Sequence, residues 1–266
     1  MKYKIDHDYH IHSEISLCSG DKEQTPARIL EYAKQYGLKK IVLTDHHWDE
    51  NVPMTVDNPW YAKQDSAYIA QQLPLPQADG IEFLFGCEIE MDKYFTLGLK
   101  KENFDKYAFV IVPTTHMHNT WTVPEEAFND NAKRMQVWID RFDAVLNMDL
   151  PFHKVGIAHL TCGLLALNKA DYVEVLNMIP DSELVRLFTK AQEKGCGIEL
   201  NSSDMMLKGV EDPETVYRIY RIAKKCGCKF YLGSDSHHPA YFAEAIESFK
   251  SAVEALELTE DDKFHF

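Results

Sequence analysis

The chain has 266 residues, 45% of them hydrophobic and 26% charged, which is the ordinary composition of a soluble globular protein with a substantial core. Its formal net charge of −14 argues against binding to a nucleic-acid backbone, which requires a basic face. The six cysteines show no disulfide pattern, and the N-terminus has no apolar signal core, so we expect a reduced, cytoplasmic protein. No apolar run approaches the length that spans a membrane, so we expect no membrane contact.

Strand-like and helix-like segments alternate along the whole chain. The predicted strands lie near residues 5–9, 40–44, 81–87, 108–114, 154–158, 197–201 and 229–233. The predicted helices lie near residues 26–36, 60–73, 124–148, 181–194, 213–226 and 240–256. This alternation predicts an α/β fold with a parallel sheet and crossover helices. We find no internal repeat or interdomain linker, so we predict a single domain over residues 1–266.

Capping residues support several of these helix boundaries. Thr25 and Asp212 each precede a proline at the first position of a predicted helix. Gly37 and Gly195 stand where two of the helices should end. The stretch over residues 48–76 is rich in polar and aromatic residues and predicts a long, partly helical excursion. It either lines a substrate site or forms a simple surface insertion.

Histidines and single carboxylates follow the predicted strands, one small group at a time. The side chains at these strand ends are His10, His12, His46, Glu88, His116, His159, Asp235 and His237. Because the same ends of parallel strands converge in space, we expect these side chains to lie close together. Imidazole and carboxylate groups bind zinc, iron and manganese. The sequence therefore predicts a metal centre assembled from segments that lie far apart in the chain.

Two short motifs carry paired ligands. His10-x-His12 places two imidazoles on the same side of an extended segment, because strand side chains alternate with a period of two. Asp235-x-His237 repeats this spacing with a carboxylate in place of one imidazole. Glu88 ends an apolar run, and its carboxylate could bridge two metals. The alternative is a solvated strand end, a role that Glu90 could fill.

The remaining histidines separate into ligand candidates and their neighbours. His159 is either a satisfied core residue or a ligand, and the groups at matching positions favour a ligand. His116 is the ligand candidate after the fourth strand, while His118 is kept as a residue that contacts substrate or supports a ligand. His47 and His238 are expected to point away from the centre, because adjacent residues diverge.

Together these motifs resemble those of the polymerase-and-histidinol-phosphatase (PHP) superfamily of metal-dependent phosphoesterases. The motifs that carry the resemblance are Asp8-x-His10-x-His12 with Ser16, Thr44-Asp45-His46, Gly86-x-Glu88 and Gly233-Ser234-Asp235-x-His237, with His116 and His159 at the single-histidine positions. The match runs from residue 6 to about residue 240. The resemblance implies a distorted seven-stranded, TIM-like (β/α)7 barrel. It also implies two or three divalent metal ions, commonly zinc, iron or manganese, at the C-terminal mouth of that barrel.

The resemblance also implies a ligand set. One metal would be held by His10, His12, Glu88 and Asp235, a second by Glu88, His116 and His159, and a third by His46, His237 and one residue of the first loop. The loop ligand departs from the family pattern, because Cys18 stands where family members often carry His or Asp. A thiolate is a competent ligand for zinc or iron. We favour Cys18 over its rival Asp21; the third alternative is that neither binds.

The implied chemistry is hydrolysis of a phosphate ester by a hydroxide that bridges two metals. Bound divalent ions neutralise the phosphate charge and lower the pKa of a water from ~15.7 toward ~7. The leaving group needs a proton, and Asp235, His237 and His46 are equal candidates to supply it. Asp45 could orient His46 or accept a proton from a neighbouring ligand histidine.

The leading functional prediction is a phosphatase that acts on a small phosphorylated metabolite such as histidinol phosphate. The arginines lie mostly within helical stretches, which argues against a tight phosphate clamp. Asn201 and the pair Lys208-Gly209 are candidate residues of the mouth, although Asn201 could equally cap a strand end. The alternatives are a nucleotide phosphoesterase or nuclease of the same superfamily, an amidohydrolase, and a non-catalytic metal-binding module. The sequence leaves the oligomeric state open.

Overall fold

The computed structural model describes residues 1–55 and 57–266. Over these residues the chain forms an α/β fold in which the strands of both sheets pair in parallel. The strands are β1 (His7–Ile11), β2 (Lys40–Leu43), β3 (His46–His47), β4 (Glu82–Phe85), β5 (Cys87–Ile89), β6 (Val110–Pro113), β7 (Val155–Ala158), β8 (Gly197–Asn201) and β9 (Lys229–Gly233). One sheet has the order β1-β2-β4, and the other has the order β3-β5-β6-β7-β8-β9.

The helices alternate with the strands along the chain. They are α1 (Pro26–Tyr36), α2 (Pro59–Ala62), α3 (Ser66–Ile69), α4 (Asn131–Asn147), α5 (Tyr172–Met178), α6 (Asp181–Lys194), α7 (Pro213–Lys225) and α8 (Phe242–Ala255). The predicted caps are confirmed: Thr25 accepts from the N–H of Arg28, and Gly37 and Gly195 end their helices with left-handed backbone, at φ of 71° and 75°. None of the helices in the described parts of the chain has the length and hydrophobicity needed to cross a membrane.

Gly86 explains why one predicted strand over residues 81–87 is two strands in the structure. Its N–H donates to the carbonyl of Leu43 in the first sheet (2.8 Å), and the next N–H, of Cys87, donates to the carbonyl of Phe109 (3.2 Å). The chain therefore changes hydrogen-bonding partners at this residue and continues from β4 into β5. A Cβ atom here would overlap the Phe109 carbonyl oxygen, so the crossing requires glycine.

The first and last strands lie side by side. The N–H of Ser234 donates to a carboxylate oxygen of Asp8 (2.9 Å), the N–H of Asp235 donates to the carbonyl of His10 (2.7 Å), and Ile11 forms a parallel bridge with Ser236. These contacts hold two of the strand ends that carry candidate ligands next to each other.

Helical structure departs from the sequence prediction in three segments. The helix predicted over residues 124–148 begins only at Asn131, because Asp130 caps it by accepting from the N–H of Lys133, and Glu125–Ala127 forms a separate 3-10 turn. The predicted helix over residues 60–73 is broken into α2 and α3, each of which starts at its own cap, Asn58 and Asp65. The short helix α5 was not predicted. The break between α2 and α3 arises because the side chain of Asp65 accepts from a backbone N–H and caps a new helix there, which ends the helix that Asn58 starts.

Candidate metal centre

Glu88 is the middle of a group of side chains at the C-terminal ends of the strands. It is fully buried on β5, and five imidazoles face its carboxylate. The nitrogens nearest to Oε2 are His46 Nδ1 at 3.0 Å, His12 Nε2 at 3.2 Å and His10 Nε2 at 3.3 Å. The nitrogens nearest to Oε1 are His159 Nε2 at 3.6 Å and His116 Nε2 at 4.0 Å. One carboxylate thus lies between two sets of imidazoles, as a bridging ligand would.

Asp235 supplies the second carboxylate of the group. Its Oδ1 lies 3.1 Å from His12 Nε2 and 3.5 Å from His10 Nε2, while its Oδ2 lies 3.5 Å from His159 Nε2. Asp235 and His159 both have left-handed backbone, at φ of 51° and 60°. This conformation is strained for residues with a side chain, and such strain persists only where surrounding contacts impose it.

A further group forms around Cys18, in the loop after β1. Its Sγ lies 2.8 Å from His237 Nε2, and one ligand atom from each of His12, Cys18, His46 and His237 falls within 4.8 Å of the others. The rival residue Asp21 lies elsewhere, 3.2 Å from His238 Nδ1. The geometry therefore brings Cys18, and not Asp21, to the predicted ligands.

The donor set fits divalent ions. Within the described residues, both carboxylate oxygens of Glu88 and the Nδ1 atom of His46 are buried without a hydrogen-bond partner. Leaving such groups unsatisfied costs about 1–3 kcal/mol each. The Nε2 atoms of His10 and His12 also converge, at 3.1 Å from each other. A cation among these atoms would satisfy them all, and imidazole, carboxylate and thiolate are the ligands that zinc and iron accept.

Two carboxylates outside the ligand set hydrogen-bond to the imidazole nitrogens that face away from the centre, a role that the sequence prediction does not assign to them. Glu199 Oε1 lies 2.6 Å from His10 Nδ1, and Glu90 Oε2 lies 2.8 Å from His116 Nδ1. In both pairs the other ring nitrogen faces the centre, which is how carboxylates fix the tautomer and direction of ligand histidines. Asp204 also lies near His159, but its Oδ2 is 3.8 Å from His159 Nδ1, which is beyond hydrogen-bond distance.

The interpretation of Glu90 as a solvated strand end is wrong. Glu90 is 1% exposed, and its Oε1 lies 3.2 Å from Nη2 of the buried Arg141. The hydroxyl of Tyr61 donates to its Oε2 (3.1 Å). The buried role of Glu199 could have been predicted from the sequence, because it is a charged residue inside the apolar strand β8. The role of Glu90 could not, because its partner Arg141 is distant in the chain.

The buried carboxylates around Glu88 favour positive charge on the groups next to them. Burial lowers the pKa of His10, but the surrounding carboxylates, Glu199 first, outweigh burial and raise it to about 10. For His12, the negative charge of Cys18 and the contacts with Asp235 and Glu88 outweigh burial and raise the pKa to about 9. Burial raises the pKa of the Cys18 thiol, but the charges of His46 and His12 prevail and lower it to about 4. Divalent cations provide the same compensation while the imidazoles lose their protons.

Other residues of the sequence prediction lie around the centre. Asp45 accepts from the backbone N–H and the hydroxyl of Ser13 (2.7 and 2.6 Å) and lies 4.0 Å from His12 Nδ1, so it sits beside His12. His47 turns away, toward the carbonyl of Gln64 (3.0 Å). Asn201 is fully buried and caps the turn that follows β8, so it is not a residue of the mouth.

Two adjacent cavities open over the centre. The first, of about 470 Å³, is lined by the metal-ligand candidates other than His10 and His12, together with Asn58, Trp60, Tyr61, Glu90, His118, Asn119 and Leu164. The excursion over residues 48–76 therefore does line this site. The second, of about 420 Å³, shares His116, His159 and Asp235 with the first and adds Lys169 and Asp204. Among the described residues, no arginine lines either cavity.

The fold and the site together define a class: a parallel α/β protein whose strand ends gather imidazole, carboxylate and thiolate groups around a buried glutamate. The family model of the PHP domain matches residues 8–203, which is well over half of the chain. The chain therefore belongs to the PHP family, and the family predicted from the sequence is confirmed.

Curated relatives and solved structures agree with this assignment. A protein of Clostridium novyi (strain NT) named "Probable phosphatase" is 26% identical over 244 residues, which span 89% of this chain and 80% of that protein. A protein of the same designation from Thermoanaerobacter sp. (strain X514) is 25% identical over 254 residues, spanning 92% and 85% of the two chains. The phosphatase activity predicted here is thus the activity for which these relatives are named.

Two solved structures share the fold. Histidinol phosphate phosphatase from Lactococcus lactis, solved with zinc, L-histidinol and phosphate, superposes with a TM-score of 0.61 at 17% identity, covering 98% of this chain and 99% of that one. A Listeria monocytogenes protein described as a candidate histidinol phosphatase superposes with a TM-score of 0.59 at 13% identity, covering 87% and 95%.

Proposed function

We propose that this chain is a metal-dependent hydrolase that cleaves a small phosphomonoester. The observation that carries the proposal is the buried carboxylate of Glu88, which faces five imidazoles and has no hydrogen-bond partner on either oxygen among the described residues. Such an arrangement needs positive charge between its members, and divalent cations would supply it. Family membership and the names of the curated relatives support phosphate-ester chemistry.

We assign the ligands as follows. His10, His12, Glu88 and Asp235 would hold one ion, and Glu88, His116 and His159 would hold a second. Cys18, His46 and His237 would hold a third. The candidate ions are zinc, iron and manganese. Glu199 and Glu90 keep His10 and His116 in the tautomers that leave Nε2 free for binding.

When bound, such ions would offset the charge of the phosphate and lower the pKa of an attacking water toward ~7. The side chains of the protein then have two tasks. They must hold the phosphate in line, and they must protonate the departing alkoxide. Asp235, His237 and His46 all line the larger cavity, and they are our candidates for the second task. No arginine lines either cavity in the described part of the chain, so the phosphate group would be bound mainly through the metal ions.

We further propose that the two sheets form one distorted seven-stranded barrel and that residues 1–266 form a single domain. Two observations support this arrangement. Tyr9 and Val42 of the smaller sheet pack in one cluster with Ile111, Ala158 and Tyr231 of the larger sheet, and Phe109 and Phe264 complete this cluster. In addition, the bridge between Ile11 and Ser236 joins the edge strand β1 of the smaller sheet to the segment that directly follows β9.

The proposed substrate is a small phosphorylated metabolite of the histidinol phosphate kind. The cavity volume suits a ligand of that size, and Trp60 gives the cavity an aromatic wall. The net charge of −14 argues against a long nucleic acid as partner. We also propose a cytoplasmic location, because the six cysteines are unpaired thiols, the state that reducing compartments maintain.

The test combines metal analysis with a substrate screen. Purified protein is assayed by elemental analysis and then, after loading with zinc or manganese, with a generic phosphomonoester and a panel of phosphorylated metabolites. We expect at least two transition-metal ions per chain and hydrolysis of at least one ester. Fewer than two ions together with no release of phosphate would refute the proposal.

A further inference from the structure

We propose that the position formed by Cys18, His46 and His237 is a sulfur-containing site that selects thiophilic divalent ions, such as zinc, cobalt or cadmium, over manganese and magnesium. The other two positions contain only nitrogen and oxygen ligands and accept both classes of ion. This inference deepens the proposed function, since it depends on the same metal centre.

The sulfur of Cys18 lies close to the imidazoles with which it would share a metal ion. Cys18 Sγ lies 2.8 Å from His237 Nε2, and it belongs to a group in which one ligand atom from each member falls within 4.8 Å of the rest. His12 is the fourth member of that group, and its ring stacks on that of His237 at a centroid distance of 4.3 Å. The site is therefore continuous with the centre around Glu88.

An independent observation indicates that a ligand is missing from this group. His46 is 7% exposed, and its Nδ1 atom has no hydrogen-bond partner in the described part of the chain. This nitrogen lies 3.0 Å from Glu88 Oε2. A buried polar atom of this kind is expected to have a partner, and a cation beside Cys18 and His237 would be one.

The loop holds Cys18 in place from both sides. The N–H of Leu17 donates to the side-chain carbonyl of Gln64 (3.0 Å), and the hydroxyl of Ser19 donates to the backbone carbonyl of His237 (3.0 Å). The sulfur is thus fixed toward the imidazoles, although Cys18 itself is exposed at the mouth of the site.

The chemistry of sulfur then sets the choice of ion. Thiolate is a soft ligand that suits zinc and its analogues, whereas manganese and magnesium prefer carboxylate, carbonyl and water oxygens. A position with one thiolate among its ligands therefore discriminates against hard ions. Excess manganese is expected to fill the nitrogen and oxygen positions and to leave the sulfur-containing one open.

Cobalt provides a spectroscopic test that does not depend on activity. Metal-free wild-type protein is titrated with Co²⁺, and we expect a near-ultraviolet sulfur-to-cobalt charge-transfer band. In Cys18→Ser the band should vanish, and the number of cobalt ions bound per chain should fall by one. The number of manganese ions bound per chain should not change. Cys18→Asp should restore the third ion without the band. Cys226→Ser is the matched control, because its partly buried thiol lies outside the group and the band should persist.

The same experiment can overturn the proposal. A wild-type protein that binds three cobalt ions without the band has no sulfur ligand. A band that survives in Cys18→Ser and disappears in Cys162→Ser places the sulfur at Cys162, which lies beside His159 and Asp204.

Alkylation of the wild-type protein gives a second readout that needs no variant. Cys18 is the one exposed cysteine of the six, so iodoacetamide should modify it first in metal-free protein. Zinc should slow this reaction on the order of tenfold or more, because a metal-bound sulfur is a poorer nucleophile, and manganese should leave the rate unchanged. Equal rates with zinc and without it, followed by mass spectrometry, would contradict the proposal.

Hydrolysis measured on the same cobalt-loaded samples separates the two proposals. A charge-transfer band without hydrolysis of any ester refutes the proposed function and leaves the sulfur-containing site intact. Hydrolysis without the band refutes the site and leaves the proposed function intact.

Discussion

At the scale of single residues, Glu88 is the member of the site whose replacement is most informative. It is a buried carboxylate with one oxygen turned toward three imidazoles and the other toward two. An amide of the same shape keeps the volume but removes the charge that two ions would share. Replacing Glu88 by glutamine should therefore lower the metal content strongly and change the fold little.

We predict that Glu88→Gln lowers the metal content and reduces hydrolysis at least about 10³-fold, because several kcal/mol of electrostatic stabilisation depend on the bridged ions. Elemental analysis and phosphate release measure the two effects, and circular dichroism checks that the fold is retained. Glu82→Gln is the matched control, since Glu82 is an exposed carboxylate on the strand that leads into the site. Wild-type activity in Glu88→Gln would remove Glu88 from the centre.

A second prediction at this scale concerns protons. The surrounding carboxylates raise the pKa of His10 to about 10, and the negative charge of Cys18 with the contacts to Asp235 and Glu88 raises the pKa of His12 to about 9. The Nε2 atoms of the two rings face each other at 3.1 Å, so this pair holds an additional proton at pH 7 in metal-free protein. Metal ions bind the neutral rings, and their uptake must release that proton. Affinity should therefore rise with pH up to about 10. Calorimetric zinc titrations in buffers of different ionisation enthalpy should show proton release, and a heat that is independent of the buffer would contradict this prediction.

At the scale of elements, helix α4 supports the site through one buried side chain. Arg141 donates from Nε to the carbonyl of Thr114 (2.8 Å) and from Nη1 to the carbonyl of Thr122 (3.0 Å), and its Nη2 lies 3.2 Å from Glu90 Oε1. Glu90 in turn holds His116. The helix is thereby connected to His116, a candidate ligand, through two charged side chains.

We predict that Arg141→Met lowers the free energy of unfolding by about 3–5 kcal/mol, because it leaves the buried Glu90 carboxylate without its cation. It should also weaken metal binding about 10- to 100-fold, because His116 loses its fixed orientation. Urea denaturation and metal titration measure the two effects. Arg186→Met is the control: Arg186 makes exposed ion pairs with Asp143 and Glu183, which are worth about 0–1 kcal/mol. Equal losses in the two variants would refute this account.

At the scale of the whole molecule, the crossing at Gly86 joins the two sheets and aligns their strand ends. The backbone passes so close to Phe109 that a Cβ atom would overlap its carbonyl oxygen and come within 2.8 Å of Val42 Cγ1. A backbone carbonyl cannot move aside as a flexible side chain can. Any side chain here should therefore displace β5, and with it Glu88.

We predict that Gly86→Ala destabilises the protein by about 1–3 kcal/mol and lowers its metal content together with its stability. Gly20→Ala is the control, since a Cβ atom there meets nothing within 4 Å. Thermal unfolding with and without zinc provides the measurement. If Gly86→Ala is as stable as Gly20→Ala and binds metal normally, then the close approach at this crossing is not what positions Glu88.

The sequence by itself determined the features whose causes are local. The alternation of strand and helix follows from hydrophobic periodicity, and the bounds of α1, α6 and α7 follow from residues such as Thr25, Gly37 and Gly195, whose effects reach only a few neighbours. The ligand candidates were also visible, because parallel strands must bring their C-terminal ends to one side and every strand-end histidine can be read from its position.

Only the tertiary structure decided which groups meet across the fold. Glu199 lies 189 residues from His10 in sequence, and Arg141 lies 51 residues from Glu90, so no local pattern could pair them. The same holds for Cys18 and His237, which approach because β1 lies beside β9. The sequence placed candidate ligands at strand ends, whereas long-range packing determined which buried charges compensate one another and which carboxylates orient the imidazoles.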